Sequence, residues 1–267
     1  MRKTWRMIRI FFLAIWRLVF EYFAWILPCS RHPEKYPIRY RYEKGRKLVL
    51  FILSKLKINL QVENASALTP QQPTIYIANH VGALDPLFHI AVSPRPVAFI
   101  AKKEAKKIPI AGRFIKAIGC VFLDREDPFQ AVRAFREAVN QMRTSGISYV
   151  IFPEGTRQKD VHAGRCNAFH PGSFKLATMA KAPLVIYAQY GSFHAFGQQK
   201  GRSHLVQMRV LETLEATELA KYNTVELSTH ALSLIDTDYP KMILNEKNYV
   251  LGQKTKDKAP KWWKNTL

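Results

Sequence analysis

Between residues 58 and 210 the chain carries seven short runs rich in β-branched and aromatic residues. They are INLQV (58–62), TIYIA (74–78), VAFIA (97–101), CVFL (120–123), YVIF (149–152), LVIYAQY (184–190) and HLVQMRV (204–210). Helical patterns lie between several of them. Asp127 and Pro128 open one, as N-cap and first helical residue, with Phe129, Val132, Phe135 and Val139 as its apolar stripe. Residues 173–181 and roughly 216–235 form others. Strands alternating with helices predict a single α/β domain with a mixed, mostly buried sheet flanked by helices.

Charge divides the chain differently. Three segments supply +20 of the net charge of +21: +11 over residues 1–60, +5 over 100–116 and +4 over 254–267. The remaining body is close to neutral, so the basicity reads as local surfaces that meet an acidic partner. Cys29, Cys120 and Cys166 are odd in number and widely spaced. They offer no disulfide framework, which favours a reducing compartment.

Residues 5–28 are strongly apolar, but Arg17 and Glu21 interrupt them and no small-residue cleavage site follows. Wound as a helix, Arg2, Lys3, Arg6, Arg9, Arg17 and Glu21 share one arc. Trp5, Phe11, Phe12, Ile15, Trp16, Val19, Tyr22 and Phe23 lie off it. A second helix follows the break at Pro28–Pro37, basic in its first half (Arg39, Arg41, Lys44, Arg46, Lys47) and apolar in its second. Three arrangements fit: helices lying in a membrane interface, a membrane span, or a hairpin packed on the protein's own core. The predicted organisation is a membrane-associating helical pair (1–57), the α/β domain (58–240) and a basic tail (241–267). Lys261-Trp262-Trp263-Lys264 in the tail is a further candidate membrane contact.

Four polar blocks sit at or between strand ends, where α/β proteins place chemistry. After TIYIA comes Asn79-His80-Val81-Gly82-Ala83-Leu84-Asp85-Pro86, in which Asp85 can orient His80 as a general base. Asp85-Pro86 equally reads as a helix N-cap and first-turn proline. Backbone N–H groups near the Gly82 turn or the helix start are candidates for an oxyanion site. Lys102-Lys103-Glu104 leads through Ile108-Pro109 to Asp124-Arg125, placing a guanidinium at a strand end. After YVIF comes Phe152-Pro153-Glu154-Gly155-Thr156-Arg157, a tight turn with a hydroxyl and a forked cation suited to phosphate. Phe169-His170-Pro171-Gly172-Ser173 turns into a helix, and Pro183 leads the next strand. The histidines show no zinc-type spacing, so no metal and no cofactor are expected.

In order and spacing these blocks resemble those of the glycerolipid acyltransferase family, most of all its bacterial 1-acyl-glycerol-3-phosphate acyltransferases. The resemblance covers roughly residues 55–215 and carries with it an N-terminal membrane-associating helical pair. It implies that His80 and Asp85 are the catalytic pair. It also implies that Arg125, Glu154, Gly155, Thr156 and Arg157 form the acceptor phosphate site with Lys102 nearby, and that Pro183 belongs to the acyl-donor region. Pro-Leu-Val-Ile-Tyr at 183–187 departs from the commoner pattern, which has a second proline.

The expected reaction moves an acyl group from acyl-CoA or acyl-carrier protein, as co-substrate, to the hydroxyl of lysophosphatidate, giving phosphatidate. Glycerol 3-phosphate or another lysophospholipid is the alternative acceptor. The expected partners are anionic membrane lipid, the lysophospholipid and the thioester donor, and the expected place is the cytoplasmic face of the cell membrane. The composition alone also admits a non-catalytic protein that binds membranes or nucleic acid. No RRM-like or zinc-finger pattern supports nucleic acid, and none is expected as a partner.

Overall fold

The computed structural model describes residues 16–56, 58–68, 71–124, 127–196 and 203–252. All seven predicted strands form. They are β1 (Ile58–Glu63), β2 (Ile75–Ala78), β3 (Val97–Lys102), β4 (Val121–Leu123), β5 (Ser148–Ile151), β6 (Leu184–Tyr190) and β7 (His204–Leu214). They make one sheet in the order β1-β7-β6-β2-β5-β3-β4. Every neighbouring pair is parallel except β6 with β7, so the sheet is mixed.

Helices cover both faces. They are α1 (helical through residues 16–31), α2 (Ile38–Lys55), α3 (Asp85–Val92), α4 (Ala111–Ala117), α5 (Pro128–Ser145), α6 (Lys175–Ala180), α7 (Ala216–Leu219) and α8 (Thr224–Gly252). Every residue of β2, β5 and β6 is buried. Continuous Val, Ile and Tyr runs are what a parallel strand needs when both its faces are covered. Because β2, β3, β5 and β6 run in parallel, their C-terminal ends open on one edge, and the loops after β2 and β5 meet there.

Asp127 caps α5 as expected, accepting from Phe129 N (2.9 Å) and Gln130 N (3.1 Å). The apolar stripe is displaced from the one read in the sequence. Phe135, Ala138, Val139 and Met142 are buried, whereas Phe129 is 81% exposed and Val132 half-buried at best. At ~100° per residue Phe129 stands about 80° from Val139, outside the face that meets the sheet.

The N-terminal helices do pack on the body. Trp25, Ile26 and Cys29 are buried, and Trp25 meets Phe114 of α4 edge-on at 5.9 Å. Two cations read as part of a basic helix half turn inward instead. Arg41 donates to Tyr36 O (2.9 Å) and Ala117 O (2.7 Å), and Arg46 donates to Ala91 O (2.9 Å). They join α2 to loop and helix carbonyls that would otherwise be buried without donors. The other side of α1 stays open, with Trp16, Val19, Phe20 and Phe23 exposed. Among the described residues no helix is long and apolar enough to cross a membrane.

The chain after residue 240 also differs from expectation. α8 continues through Pro240 to residue 252 and buries Met242, so a tail beginning at 241 would cut a packed helix. The Lys-Trp-Trp-Lys stretch and the basic N-terminal residues before 16 lie outside the described residues.

Candidate active site

β2 ends at Ala78, and the chain is then fixed by Asn79. Its side chain donates to Gln189 O (2.9 Å) and accepts from Gln189 N (2.8 Å), while Gln189 Nε2 donates to Asn79 O (2.6 Å). This clamp ties the end of β2 to β6 and sets where the next residue, His80, emerges. The His80 ring lies flat against Phe152 (centroids 4.5 Å apart, planes at 17°), and Phe152 in turn lies over Phe99.

His80 Nδ1 is 2.7 Å from Asp85 Oδ2. Asp85 is fully buried, and the same oxygen accepts from Val81 N (2.8 Å) and Gly82 N (2.9 Å). Its other oxygen accepts from the buried Ser192 hydroxyl. Four donors therefore hold this carboxylate, three of them besides the imidazole. An acceptor facing Nδ1 requires the proton there, which leaves Nε2 as the basic nitrogen. The His80 side chain keeps 20% of its surface open to solvent.

Asp85 does not cap α3 forward, as the Asp-Pro pair suggested. It is the first helical residue, and its side chain folds back onto the 81–82 backbone. The Val81 and Gly82 N–H groups, read as oxyanion candidates, are thereby committed to Asp85. Two glycines make room for the arrangement. A Cβ on Gly82 would strike Ser192 and come within 2.9 Å of Phe193 N. Gly191 holds φ +90° beside Leu205 O, where a side chain would not fit.

Glu154 is buried and reaches the same loop. It accepts from His80 N (2.6 Å) through one oxygen, and from Asn167 N (3.2 Å) and Asn167 Nδ2 (2.7 Å) through the other. Burial pushes its carboxyl up to about 6, against the pull of those three donors. Gln158 N donates to His80 O (2.8 Å), so both backbone groups of His80 are tied to the segment after β5. Glu154 thus braces the histidine from behind and does not stand free to meet a ligand.

The other predicted residues that are described separate into two groups. Gly155 closes the turn through its N–H to Phe152 O (3.0 Å), and Thr156 and Arg157 are exposed on the same loop. Lys102 ends β3 on that same sheet edge, exposed, 3.6 Å from Glu104. Arg125 lies outside the described residues. Pro183 is not brought to this cluster. It precedes β6, its carbonyl accepts from Ile75 N (2.9 Å), and it sits at the opposite end of the sheet. Five residues of strand separate that level from His80, about 17 Å. Sequence reading missed Ser192 and Asn167 as parts of the site and gave Phe152, the first residue of its block, no role. For Ser192 the signal was a glycine-serine pair directly after a buried strand. Among the described residues no group of three His, Cys, Asp or Glu side chains stands together as a metal site.

Residues 59–188 match the protein-family model described as Acyltransferase. The chain is 30% identical over 180 residues to human 1-acyl-sn-glycerol-3-phosphate acyltransferase alpha, covering 65% of this chain and 62% of that protein. It is 32% identical over 165 residues to a probable 1-acyl-sn-glycerol-3-phosphate acyltransferase of Mycoplasma genitalium, covering 60% and 59%. In both cases the match spans less than two thirds of the relative. Its fold resembles the crystal structure of the 1-acyl-sn-glycerophosphate (LPA) acyltransferase PlsC from Thermotoga maritima, with a TM-score of 0.66 and 25% identity over 91% of this chain and 98% of that one. The stretch that matches the acyltransferase model runs from β1 into β6 and contains the His80–Asp85 pair and its Glu154 brace.

Proposed function

We propose that the protein transfers a fatty acyl group from a thioester donor to the free hydroxyl of 1-acyl-sn-glycerol 3-phosphate, forming phosphatidate. The observation that carries this reading is the His80–Asp85 pair, with Nδ1 held by a buried carboxylate and Nε2 left as base on a partly open ring. The relatives named for this reaction support the acceptor.

In this mechanism His80 Nε2 takes the acceptor's hydroxyl proton as its oxygen attacks the thioester carbonyl. Asp85 stabilises the imidazolium that forms. The tetrahedral centre collapses by breaking the C–S bond, and the imidazolium returns its proton to the leaving thiolate. The net exchange is an ester for a thioester, with no change in oxidation state. Thr156 and Arg157, exposed on the loop braced by Glu154, are suited to hold the acceptor phosphate, with Lys102 on the same edge. The resemblance adds Arg125, two residues beyond β4 in the sequence, to this phosphate site. The thioester is acyl-CoA or acyl-carrier protein.

The exposed Trp16, Val19, Phe20 and Phe23 of α1 suit a helix lying in a membrane interface. A cytoplasmic face fits a cytosolic thioester donor.

Purified protein supplied with lysophosphatidate and each thioester in turn is expected to yield phosphatidate. His80→Ala is expected to lose at least ~10³-fold in rate while retaining its fold. Undiminished activity in that variant would refute the mechanism. Glycerol 3-phosphate as the preferred acceptor in the same assay would replace the substrate while keeping the chemistry.

A further inference from the structure

A second concentration of cations lies away from His80. A pocket of about 380 Å³ is lined by Arg31, Lys106, Arg113 and Lys116, with Phe122 at its wall. The four cations come from three separate stretches: the end of α1, the turn after β3, and one face of α4, where Arg113 and Lys116 are three residues apart. None of the four has a carboxylate partner among the described residues. The nearby acids are engaged elsewhere, Glu104 with Lys102 (3.6 Å) and Asp124 with Lys103 (2.8 Å). Lys106 is steadied instead by the Phe122 ring, 4.8 Å from its Nζ. Like charges gathered around one concavity repel one another, and an anion placed among them removes that cost.

This pocket is separate from the candidate active site. Phe122 belongs to β4, which stands three strand positions from β2. At ~4.8 Å per position that is about 14 Å from the strand that delivers His80.

Apolar groups border the cations. Ile108 and Ile110, on the segment that joins Lys106 to Arg113, are 52% and 44% exposed. Ile110 holds φ +61°, a conformation costly for a β-branched residue, with its side chain still in solvent. Arg31 closes the helix whose other side exposes Trp16, Phe20 and Phe23. A free phosphate would account for the cations but leave these apolar groups without a role. An amphiphile accounts for both.

We propose that the Arg31, Lys106, Arg113 and Lys116 pocket binds the phosphate of an anionic phospholipid in the bilayer, with Ile108 and Ile110 against its acyl chains. The site would fix how the protein sits on the membrane, and it does not depend on the acyl-transfer reading.

The test is co-sedimentation of the full chain with phosphatidylcholine vesicles, pure or with one fifth phosphatidylglycerol, at ~0.15 M salt. Wild type is expected to favour the anionic vesicles. Arg113→Ala with Lys116→Ala is expected to weaken that binding roughly thirtyfold, the effect of two cations at an anionic surface. Lys221→Ala with Lys247→Ala, the same change in net charge elsewhere, is expected to stay within about twofold. Ile108→Ser with Ile110→Ser is expected to weaken binding to both vesicle types. All six side chains are exposed, and melting curves check that the variants fold. Equal losses in the two double-cation variants would overturn the pocket in favour of overall charge. Stripping of wild type from anionic vesicles by millimolar inorganic phosphate, down to the level of the Arg113/Lys116 variant, would overturn the lipid in favour of free phosphate. An unaffected isoleucine variant would overturn the acyl-chain contact.

Discussion

His80 and His89 lie nine residues apart and touch the same aromatic slab. The slab runs from His80 through Phe152 and Phe99 to His89, which meets Phe99 edge-on at 6.4 Å. Their surroundings differ in two respects. His80 has a carboxylate on Nδ1 and an open side. His89 is fully buried between Tyr76, Phe99 and Tyr187. Its Nδ1 meets the Tyr187 hydroxyl at 3.1 Å, and its Nε2 has no partner. Burial pushes His89 down to about 3 and keeps it neutral. A histidine becomes a usable base here through a buried anion on one nitrogen and room at the other. Aromatic packing alone supplies neither.

The sharpest way to break the contrast is to remove the anion. Asp85→Asn is expected to cut kcat by about 10³–10⁴ in the acyl-transfer assay, with circular dichroism unchanged. A neutral amide neither fixes the Nδ1–H tautomer nor supports the imidazolium.

The next largest effect falls on stability and belongs to His89. Its folded-state pKa lies below the unfolded ~6.5, so its contribution is present above that value and is lost as pH falls toward 3. Urea titrations of wild type and His89→Phe are expected to show wild type losing about 3 kcal/mol more than the variant between pH 7 and 4. Activity at neutral pH should survive that substitution.

Glu154 has the opposite sign. Its carboxyl is raised to about 6, so its contribution is full below pH ~4.5 and lost as pH rises through 6. Relative to Glu154→Gln, wild type should lose about 2 kcal/mol between pH 4 and 7, again by urea titration.

The smallest effect expected is that of Ser192→Ala, which removes one of four donors from Asp85. A fall of about tenfold in kcat with KM unchanged is the expected outcome. A raised KM instead would place Ser192 in substrate binding.

Much of this was readable in the sequence because it is local. The strands announce themselves as unbroken β-branched runs, Asp127 and Pro128 mark a helix start, and His80 and Asp85 lie within one loop. What escaped reading is set by distant chain. Ser192 reaches Asp85 across 107 residues, and Asn167 reaches Glu154 across 13 with no regular element between them. Arg41 and Arg46 look like surface cations until carbonyls of α4 and α3 appear opposite them. Pro183 is the reverse case. The resemblance implies an acyl-donor role for it, and parallel pairing of β6 with β2 puts it at the end of the sheet away from His80, which the sequence alone does not show.

The place of β1 in the sheet has a consequence for how the protein is made. Among the described residues its sole strand partner is β7, with Ile58 opposite His204. At ~5–20 residues per second, a ribosome needs roughly 7–30 s to travel from one to the other. For that interval β1 leaves the ribosome with an apolar edge and nothing to pair with. The Ser192 donor emerges 107 residues after Asp85. The nascent chain is therefore aggregation-prone, and without its finished catalytic loop, until β7 arrives, so a chaperone that shields β1 would raise the yield of folded protein more than one acting later.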